Sequence, residues 1–331
     1  MSKSIKFTSI HTENKRMLLK SEMEKITLKI HQLFKPGEKQ TACPCCHSEL
    51  LVSYVEKFGY NIDRCEACQH LFTNPFPTKD ALTYFYNSEF KDFENQFFID
   101  SFENRIPIFK QRIKLLKNSG VGSKILDVGS AVGIFIEANR RTGKKLTIDA
   151  CDISANACAY LKKKFPNTTI FNHDISDLPE GEYDAVTLWD TLEHIPDPKE
   201  LLAGVKRQLR SGGHFIFSTP NTHSFEWEIM GKEHVQLLPP GHVNLYNTKN
   251  ISTLLNQCGF SVEGIHTLNP SLDLTYIKNV FSVDENLETM YSRAANKLLE
   301  LILSKENFPA LEKALRKQLY AGNMIVISRL S

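Results

Sequence analysis

Four cysteines are spaced to hold a metal. Cys43-Pro-Cys-Cys46 and Cys65-Glu-Ala-Cys68 are two C-x2-C pairs with eighteen residues between them. That spacing is within the zinc-ribbon range, and two tight turns carrying two thiolates each can complete a tetrahedron around Zn2+. Cys45, His47 and His70 are neighbouring alternative ligands, and the symmetric set Cys43, Cys46, Cys65 and Cys68 is the expected one. A second group is built from acids and small residues. Asp127 is followed by Gly129, Ser130, Ala131 and Gly133, and Asp152 stands 25 positions after Asp127. A small-residue turn lets a ligand approach the backbone, and an acid in the second position can accept two ribose hydroxyls. Histidines suited to proton transfer near neutral pH form a third group: His194, then His223, His234 and His242, with Tyr246 four positions beyond His242.

These residues need elements to hold them. Ile125 to Val128 is an apolar run ending at the small-residue turn, and a helical pattern starts at Ile134. A buried parallel strand feeding a tight loop and a helix is the usual seat of a nucleotide-like ligand in an α/β sheet. Leu146 to Cys151 reads as the next strand and Thr169 to Phe171 as the third. Tyr183 to Trp189 reads as a buried fourth, followed by a helix (Lys199 to Leu209), a stop at Ser211-Gly-Gly213 and a strand from His214 to Asn221. The pattern predicts a helix over Thr248 to Cys258, a strand over Phe260 to His266, helical structure from Asp284 to Leu319, and a last antiparallel strand at Asn323 to Arg329. Leu50 to Val55 and Tyr60 to Asp63 are expected to form a small hairpin between the cysteine pairs.

The order of these segments resembles the class I S-adenosylmethionine-dependent methyltransferases over roughly Gly120 to Gly264. The matching motifs are the Leu-Asp-Val-Gly loop, Cys-Asp-Ile-Ser, Asp-Ile-Ser-Asp-Leu and Leu-Glu-His-Ile-Pro-Asp-Pro. The resemblance implies an α/β, Rossmann-like, seven-stranded methyltransferase sheet with an N-terminal zinc-ribbon and added helices. It implies S-adenosyl-L-methionine as cofactor. Backbone amides of Gly129 to Gly133, with Ser130 and Ala131, would hold its methionine part, and Asp127 would organise that loop. Asp152 would accept the ribose hydroxyls, Asp174 the adenine amino group, with Ile153 and Ile175 flanking the ring and Trp189 in the same cofactor-binding set. Ala131 stands where a glycine is usual, which matters only if the backbone there needs a positive φ. A ribbon ending in Leu71-Phe-Thr-Asn-Pro-Phe-Pro77 before such a core resembles a bacterial subgroup associated with sugar, surface-polysaccharide or natural-product pathways. In that subgroup the ribbon shapes the substrate side. The nucleophile belongs to the acceptor, and His194, His242, His223 and Tyr246 are the candidate catalytic residues.

Composition bounds the remainder. The 331 residues carry a net charge of +2, so no global field demands nucleic acid or an anionic surface. No apolar run approaches the ~20 residues of a membrane span, and the first residues lack a signal-peptide core. A cytoplasmic chain with reduced cysteines is expected. The expected organisation is a helical extension (1–40), a zinc-ribbon (41–77) forming its own folding unit, an aromatic-rich helical lid or linker (78–118), and a methyltransferase domain (119–331) with a helical insertion at 267–321. The aromatic residues from Tyr84 to Phe109 serve as helix core contacts or as a lid. The segment Thr222 to Tyr246 reads as a long loop. A small-molecule acceptor is the expected partner, with a homo-oligomer open. An RNA base methyltransferase is the second reading, and near-neutral charge speaks against it. A non-catalytic ribbon module on a methyltransferase-like scaffold is the third, and the intact acids Asp127, Asp152 and Asp174 speak against that.

Overall fold

The structure is a computed structural model that describes residues 13–143, 146–267, 301–302, 304 and 306–331. A seven-stranded sheet forms its centre. In sequence its strands are β4 (Lys124–Val128), β5 (Thr147–Cys151), β6 (Ile170–Phe171), β7 (Tyr183–Trp189), β8 (Leu209–Pro220), β10 (Phe260–His266) and β11 (Asn323–Leu330). Their spatial order is β10-β11-β8-β7-β4-β5-β6, parallel except for β11, which runs antiparallel between β8 and β10. The chain reverses its direction of sheet growth between β4 and β7, and such a switch point opens a crevice beyond the carboxyl ends of the strands. Each central strand is an almost uninterrupted apolar run because both of its faces are covered.

The covering helices follow from their sequences. In α5 (Ile134–Thr142) Ile134, Phe135, Ile136 and Ala138 are buried, and its last turn is basic, as the helix dipole favours. In α7 (Pro198–Gln208) Asp197 caps the first turn, with Pro198 in the initial position where its missing N–H costs nothing. The strand β8 begins at Leu209 and runs through Gly212 and Gly213 rather than starting after them. Its pairing with β7 shifts register between Tyr183 and Ala185, which absorbs the two glycines. α9 (Thr248–Gln257) starts with a reciprocal Asn247–Asn250 capping box.

A second, four-stranded antiparallel sheet contains β1 (Leu51–Lys57), β2 (Tyr60–Cys65), β3 (Leu71–Thr73) and β9 (Asn244–Leu245). The last strand comes from the segment between β8 and α9, with Leu71 opposite Leu245 and Phe72 opposite Asn244. The ribbon, expected as its own folding unit, shares this sheet with the segment that precedes α9. Its sheet is completed by a strand 170 or so residues away, and Cys43, Cys65 and Cys68 pack in the same buried cluster as Tyr246, Leu254 and Phe217. The segment Thr222 to Tyr246 likewise is not a plain loop: it holds α8 (Phe225–Met230) and β9, and Leu237, Val243 and Tyr246 are fully buried.

Ahead of the sheet lie α1 (Glu13–Leu33), α2 (Lys79–Tyr86), α3 (Glu89–Asp100) and α4 (Phe102–Asn118). Met23, Ile26 and Ile30 of α1 pack on Phe85 and Phe90, whereas Phe102, Ile106, Ile113 and Leu116 of α4 pack on α5 and β4. The aromatic residues between Tyr84 and Phe109 thus divide. Phe85, Phe90, Phe97 and Phe102 are core, while Tyr86 faces the histidines beyond β7. The helical expectation for 284–319 holds at α10 (Phe308–Lys317); its first part lies outside the described residues. Among the described residues no helix is long and apolar enough to cross a membrane.

Candidate functional site

At the carboxyl end of β4 the chain turns through three left-handed residues, Gly129 (φ 72°), Ala131 (φ 45°) and Gly133 (φ 74°). A Cβ at Gly129 would lie 2.7 Å from Thr191 Oγ1, so only glycine fits there. Ala131 does adopt the positive φ that its side chain disfavours. What holds it is a hydrogen bond: its N–H donates to Asp152 Oδ2 at 2.9 Å. Ser154 N–H donates to the other oxygen at 2.8 Å. Two backbone donors fix the Asp152 carboxylate, and its remaining lone pairs are left for a diol.

Asp127 is buried beneath this loop. Its Oδ1 accepts from Thr187 Oγ1 at 2.8 Å and its Oδ2 from Ser130 Oγ at 2.9 Å. Burial pushes its carboxyl up to about 7, against those two hydrogen bonds. Asp174 is exposed and caps a single 3₁₀ turn, with Oδ1 accepting from Ser176 N–H at 2.9 Å and Ser176 Oγ at 2.7 Å. Ile153 and Ile175 do not present matching faces: Ile153 is 61% exposed, whereas Ile175 is 2% exposed within the core. Trp189 packs between Phe135 (5.4 Å between centroids) and Phe109 (6.0 Å), and its Nε1 has no partner.

The other half of the crevice lies beyond β7. A 3₁₀ turn over Leu192–His194 places Glu193 inward, and the segment before β9 brings His242 beside His194. The two imidazoles meet edge to face at 4.7 Å. A ring nitrogen of each histidine and a carboxylate oxygen of Glu193 lie within 4.8 Å of one another. His194 Nδ1 is 2.8 Å from the Gly241 carbonyl oxygen and His242 Nδ1 is 2.7 Å from that of Gln236. A carbonyl only accepts, so each Nδ1 donates to its carbonyl, and the His194 ring also hydrogen-bonds the Asp190 backbone. Burial holds both imidazoles below the usual histidine range, helped at His194 by the neighbouring His242 and Lys91. Burial and the Asp190 charge push Glu193 up to about 8, and Thr219 Oγ1 donates to it at 3.0 Å. At neutral pH the two imidazoles are uncharged and the Glu193 carboxyl is mostly protonated.

Not every candidate joins this group. His223 is exposed and its ring rests against Tyr320 at 5.3 Å. His234 is buried against Trp227 at 4.4 Å, its Nδ1 accepting from Gln236 N–H, and burial takes it down to about 3. Tyr246 is fully buried against His70 at 4.9 Å, between the cysteines and Glu193. The structure adds residues that sequence reading missed. Asp190, at φ 53°, accepts from Arg112 Nη2 (3.0 Å), Ser218 Oγ (2.8 Å) and Asn323 Nδ2 (3.2 Å). Arg105, seven residues before Arg112 on α4, lies over Phe98 at 4.4 Å and donates from Nε to Ser101 Oγ at 2.9 Å, with the Asp190 and Glu94 charges acting on it. Burial takes its guanidinium down to about 10. Tyr86, 6.3 Å from the His194 ring, has a buried hydroxyl without a partner. Heptad-spaced arginines on an apolar helix were the available signal for the first pair. Nothing local marks Tyr86.

The four expected cysteines converge. Cys43 and Cys68 sulfurs are 3.7 Å apart, Cys46 and Cys65 sulfurs 3.6 Å, and all four lie within 4.8 Å. A tetrahedron with bonds of ~2.3 Å puts sulfurs about 3.8 Å apart. The Cys68 sulfur beside it and burial push the Cys43 thiol far up, so four thiolates here call for a compensating cation. Cys45 stays out of the set and points its thiol to the Asn250 carbonyl at 3.1 Å.

Residues 102–264 match the family model described as "Methyltransferase domain". The sheet has the Rossmann-like class I methyltransferase fold. Among curated proteins the chain is similar to the ubiquinone biosynthesis O-methyltransferase of Alkalilimnicola ehrlichii, 35% identical over 36% of this chain and 52% of that one. It is also similar to that of Thiobacillus denitrificans, 27% identical over 53% of this chain and 79% of that one. The chain thus spans about half the length of the first of these relatives. Among solved structures, magnesium protoporphyrin IX methyltransferase from Synechocystis with bound SAH aligns at TM-score 0.48 and 13% identity, over 76% of this chain and all of that one. The match runs from Phe102, the first residue of α4, to Gly264 within β10, and β11, which lies between β8 and β10 in the same sheet, falls beyond it.

Proposed function

We propose that the chain transfers the methyl group of S-adenosylmethionine to a hydroxyl of a small polar acceptor, a sugar, sugar nucleotide or related intermediate. The observation that carries the reading is the pairing of His194 and His242 beside Glu193 at the carboxyl edge of β7. S-adenosylmethionine supplies the electrophilic methyl group, and the chain supplies binding, orientation and a place for the proton. Asp152 and the amides of Gly129 to Gly133 hold the nucleoside and methionine parts, and Arg105 offers a cation to a carboxylate. His194 or His242 takes the acceptor proton through Nε2, and the carbonyls of Gly241 and Gln236 keep that nitrogen unprotonated beforehand. The unpartnered Tyr86 hydroxyl, Trp189 N–H and Arg112 Nη1 favour an acceptor with several polar groups. The named relatives act on oxygen in quinone biosynthesis, which supports a hydroxyl acceptor.

We further propose one Zn2+ on Cys43, Cys46, Cys65 and Cys68, as a structural ion with no open position. Two measurements test the whole reading. Calorimetry with S-adenosylhomocysteine should show binding that Asp152→Ala weakens by roughly 1–3 kcal/mol through loss of charge-assisted hydrogen bonds. Product mass spectrometry across sugar, sugar-nucleotide and phenolic acceptors should then show that His242→Ala or His194→Ala lowers turnover about 100-fold while cofactor affinity holds. Full turnover in both single variants would remove the histidines from the chemistry.

A further inference from the structure

The ribbon and the histidine pair are joined by a single buried side chain. Asn244, the first residue of β9, is fully buried. Its Nδ2 donates to the Ile195 carbonyl at 2.7 Å, immediately after His194. Its Oδ1 is 2.9 Å from His70 Nε2, two residues after Cys68. Because Nδ2 must face the Ile195 carbonyl, Oδ1 must face His70, and His70 must therefore hold its proton on Nε2. The backbone doubles this connection. Thr73 N–H donates to the Val243 carbonyl at 2.9 Å, and Val243 N–H donates to the Glu193 carbonyl at 2.9 Å. On the ribbon side, Asn247 and Asn250 donate to the Cys68 carbonyl at 3.1 and 3.3 Å.

We propose that Asn244, anchored by His70, is a positioning residue for the acceptor-side histidines: it sets the relative placement of the Glu193–His194 turn and the His242 segment. The reason is geometric. His194 and His242 come from two separate stretches of chain, and each keeps its tautomer through a carbonyl of the 236–241 segment. Nothing covalent fixes one stretch against the other. Asn244 bonds to the first stretch while it sits two residues from His242 in the second, and its other end is tied to the ribbon. The Nδ1 to carbonyl bond of His194 reaches across from the first stretch to the second, so a shift of about an ångström between them breaks it. Its proton can then move to Nε2, the atom needed as base. The metal knuckle thus contributes to catalysis through a hydrogen-bonded strut rather than by touching the acceptor.

This inference rests on His194 and His242 being the acceptor-side pair, so the experiment reads the imidazoles rather than turnover. Long-range ¹H–¹⁵N correlation spectra of the zinc-loaded full chain report each ring's tautomer. In the native protein both rings should appear as the Nδ1–H form. Asn244→Leu and His70→Leu should leave the His194 ring averaging between tautomers, with a population change of roughly 10-fold, as loss of one ordinary buried hydrogen bond allows. His70→Gln, which restores an N–H donor toward Asn244, should return the locked form. Zinc content and S-adenosylhomocysteine affinity should stay near native in the His70 variants. Locked rings in folded Asn244→Leu would overturn the proposal. If Asn244→Leu does not fold, a His70→Gln spectrum no closer to native than that of His70→Leu overturns it instead. Locked, strut-dependent rings combined with full turnover in His194→Ala and His242→Ala would leave the strut standing and remove the catalytic reading.

Discussion

Ala131 shows how one side chain can cost stability at a binding loop. A non-glycine residue in the left-handed region is disfavoured by ~1 kcal/mol or more, and Ala131 sits there at φ 45° because its N–H is needed by Asp152. Ala131→Gly should keep that bond, relieve the strain and raise the unfolding free energy measured in urea by an amount on the order of 1 kcal/mol; an unchanged or lowered value would show the loop unstrained. Asp127 and Glu193 set a pH dependence. Burial raises their carboxyls to about 7 and about 8, from ordinary values of 3.8 and 4.5. A raised folded-state value means that stability is full below the unfolded value and is lost as pH climbs through the folded one. These two groups therefore withdraw stability from about pH 4 to pH 8. The lowered buried histidines His70, His194, His234 and His242 add stability as pH rises toward 6.5, so the carboxyl loss stands alone only above that. Glu193→Gln should flatten the upper part of that fall and gain on the order of 1 kcal/mol at pH 8. Parallel pH profiles for variant and native chain would exclude Glu193 as their source. At this scale the sequence was a good guide wherever chemistry and spacing are local. Asp127 and Asp152 both meet the loop after β4, and the four cysteines converge. Asp190 and Tyr86 were not legible, because their significance comes from Arg112, Asn323 and His194, which lie far away in the chain.

Elements tell a different story about the ribbon. Two strands and two knuckles were legible, since alternation and C-x2-C spacing are local signals. β9 was not, because two residues carry no periodicity and their strand character exists only through β3. The Thr222 to Tyr246 segment read as a loop for the same reason. Its glycines, prolines and histidines obscure buried Leu237, Val243 and Leu245. This pairing predicts how far metal loss spreads. Cys65→Ser should lower zinc content and also strip hydrogen-exchange protection from the Val243 amide and the first turn of α9, where Asn247 and Asn250 hold the Cys68 carbonyl. Protection lost only within residues 43–68 would show the knuckle to be a detachable unit after all.

At the scale of the molecule, the sheet order and the place of the crevice were readable because a doubly wound sheet repeats one local pattern, strand, turn and helix, several times. The roof was only half readable: the aromatic-rich helices were expected as core or lid, and Phe85, Phe90, Phe97 and Phe102 are core. Removing residues 1–77 should uncover Leu245, Tyr246 and the open edge of β9. We expect the truncated chain to aggregate rather than to give a soluble methyltransferase domain. A monodisperse truncated chain by light scattering would contradict this.

The same long-range strand carries a consequence for the order of events during synthesis. His70 and Asn244 are separated by 174 positions, and at ~5–20 residues per second the ribosome needs roughly 10–35 s to cover that distance. For that interval the knuckles and β1 to β3 are already outside the tunnel with their partner strand still unmade. β3 is a three-residue strand, all of it apolar or buried in the finished fold, and it waits with one edge free. The nascent chain is thus most exposed to wrong strand pairing before its last third emerges. Conditions that slow elongation across residues 74–243 should lower the yield of soluble protein more than conditions that slow it elsewhere.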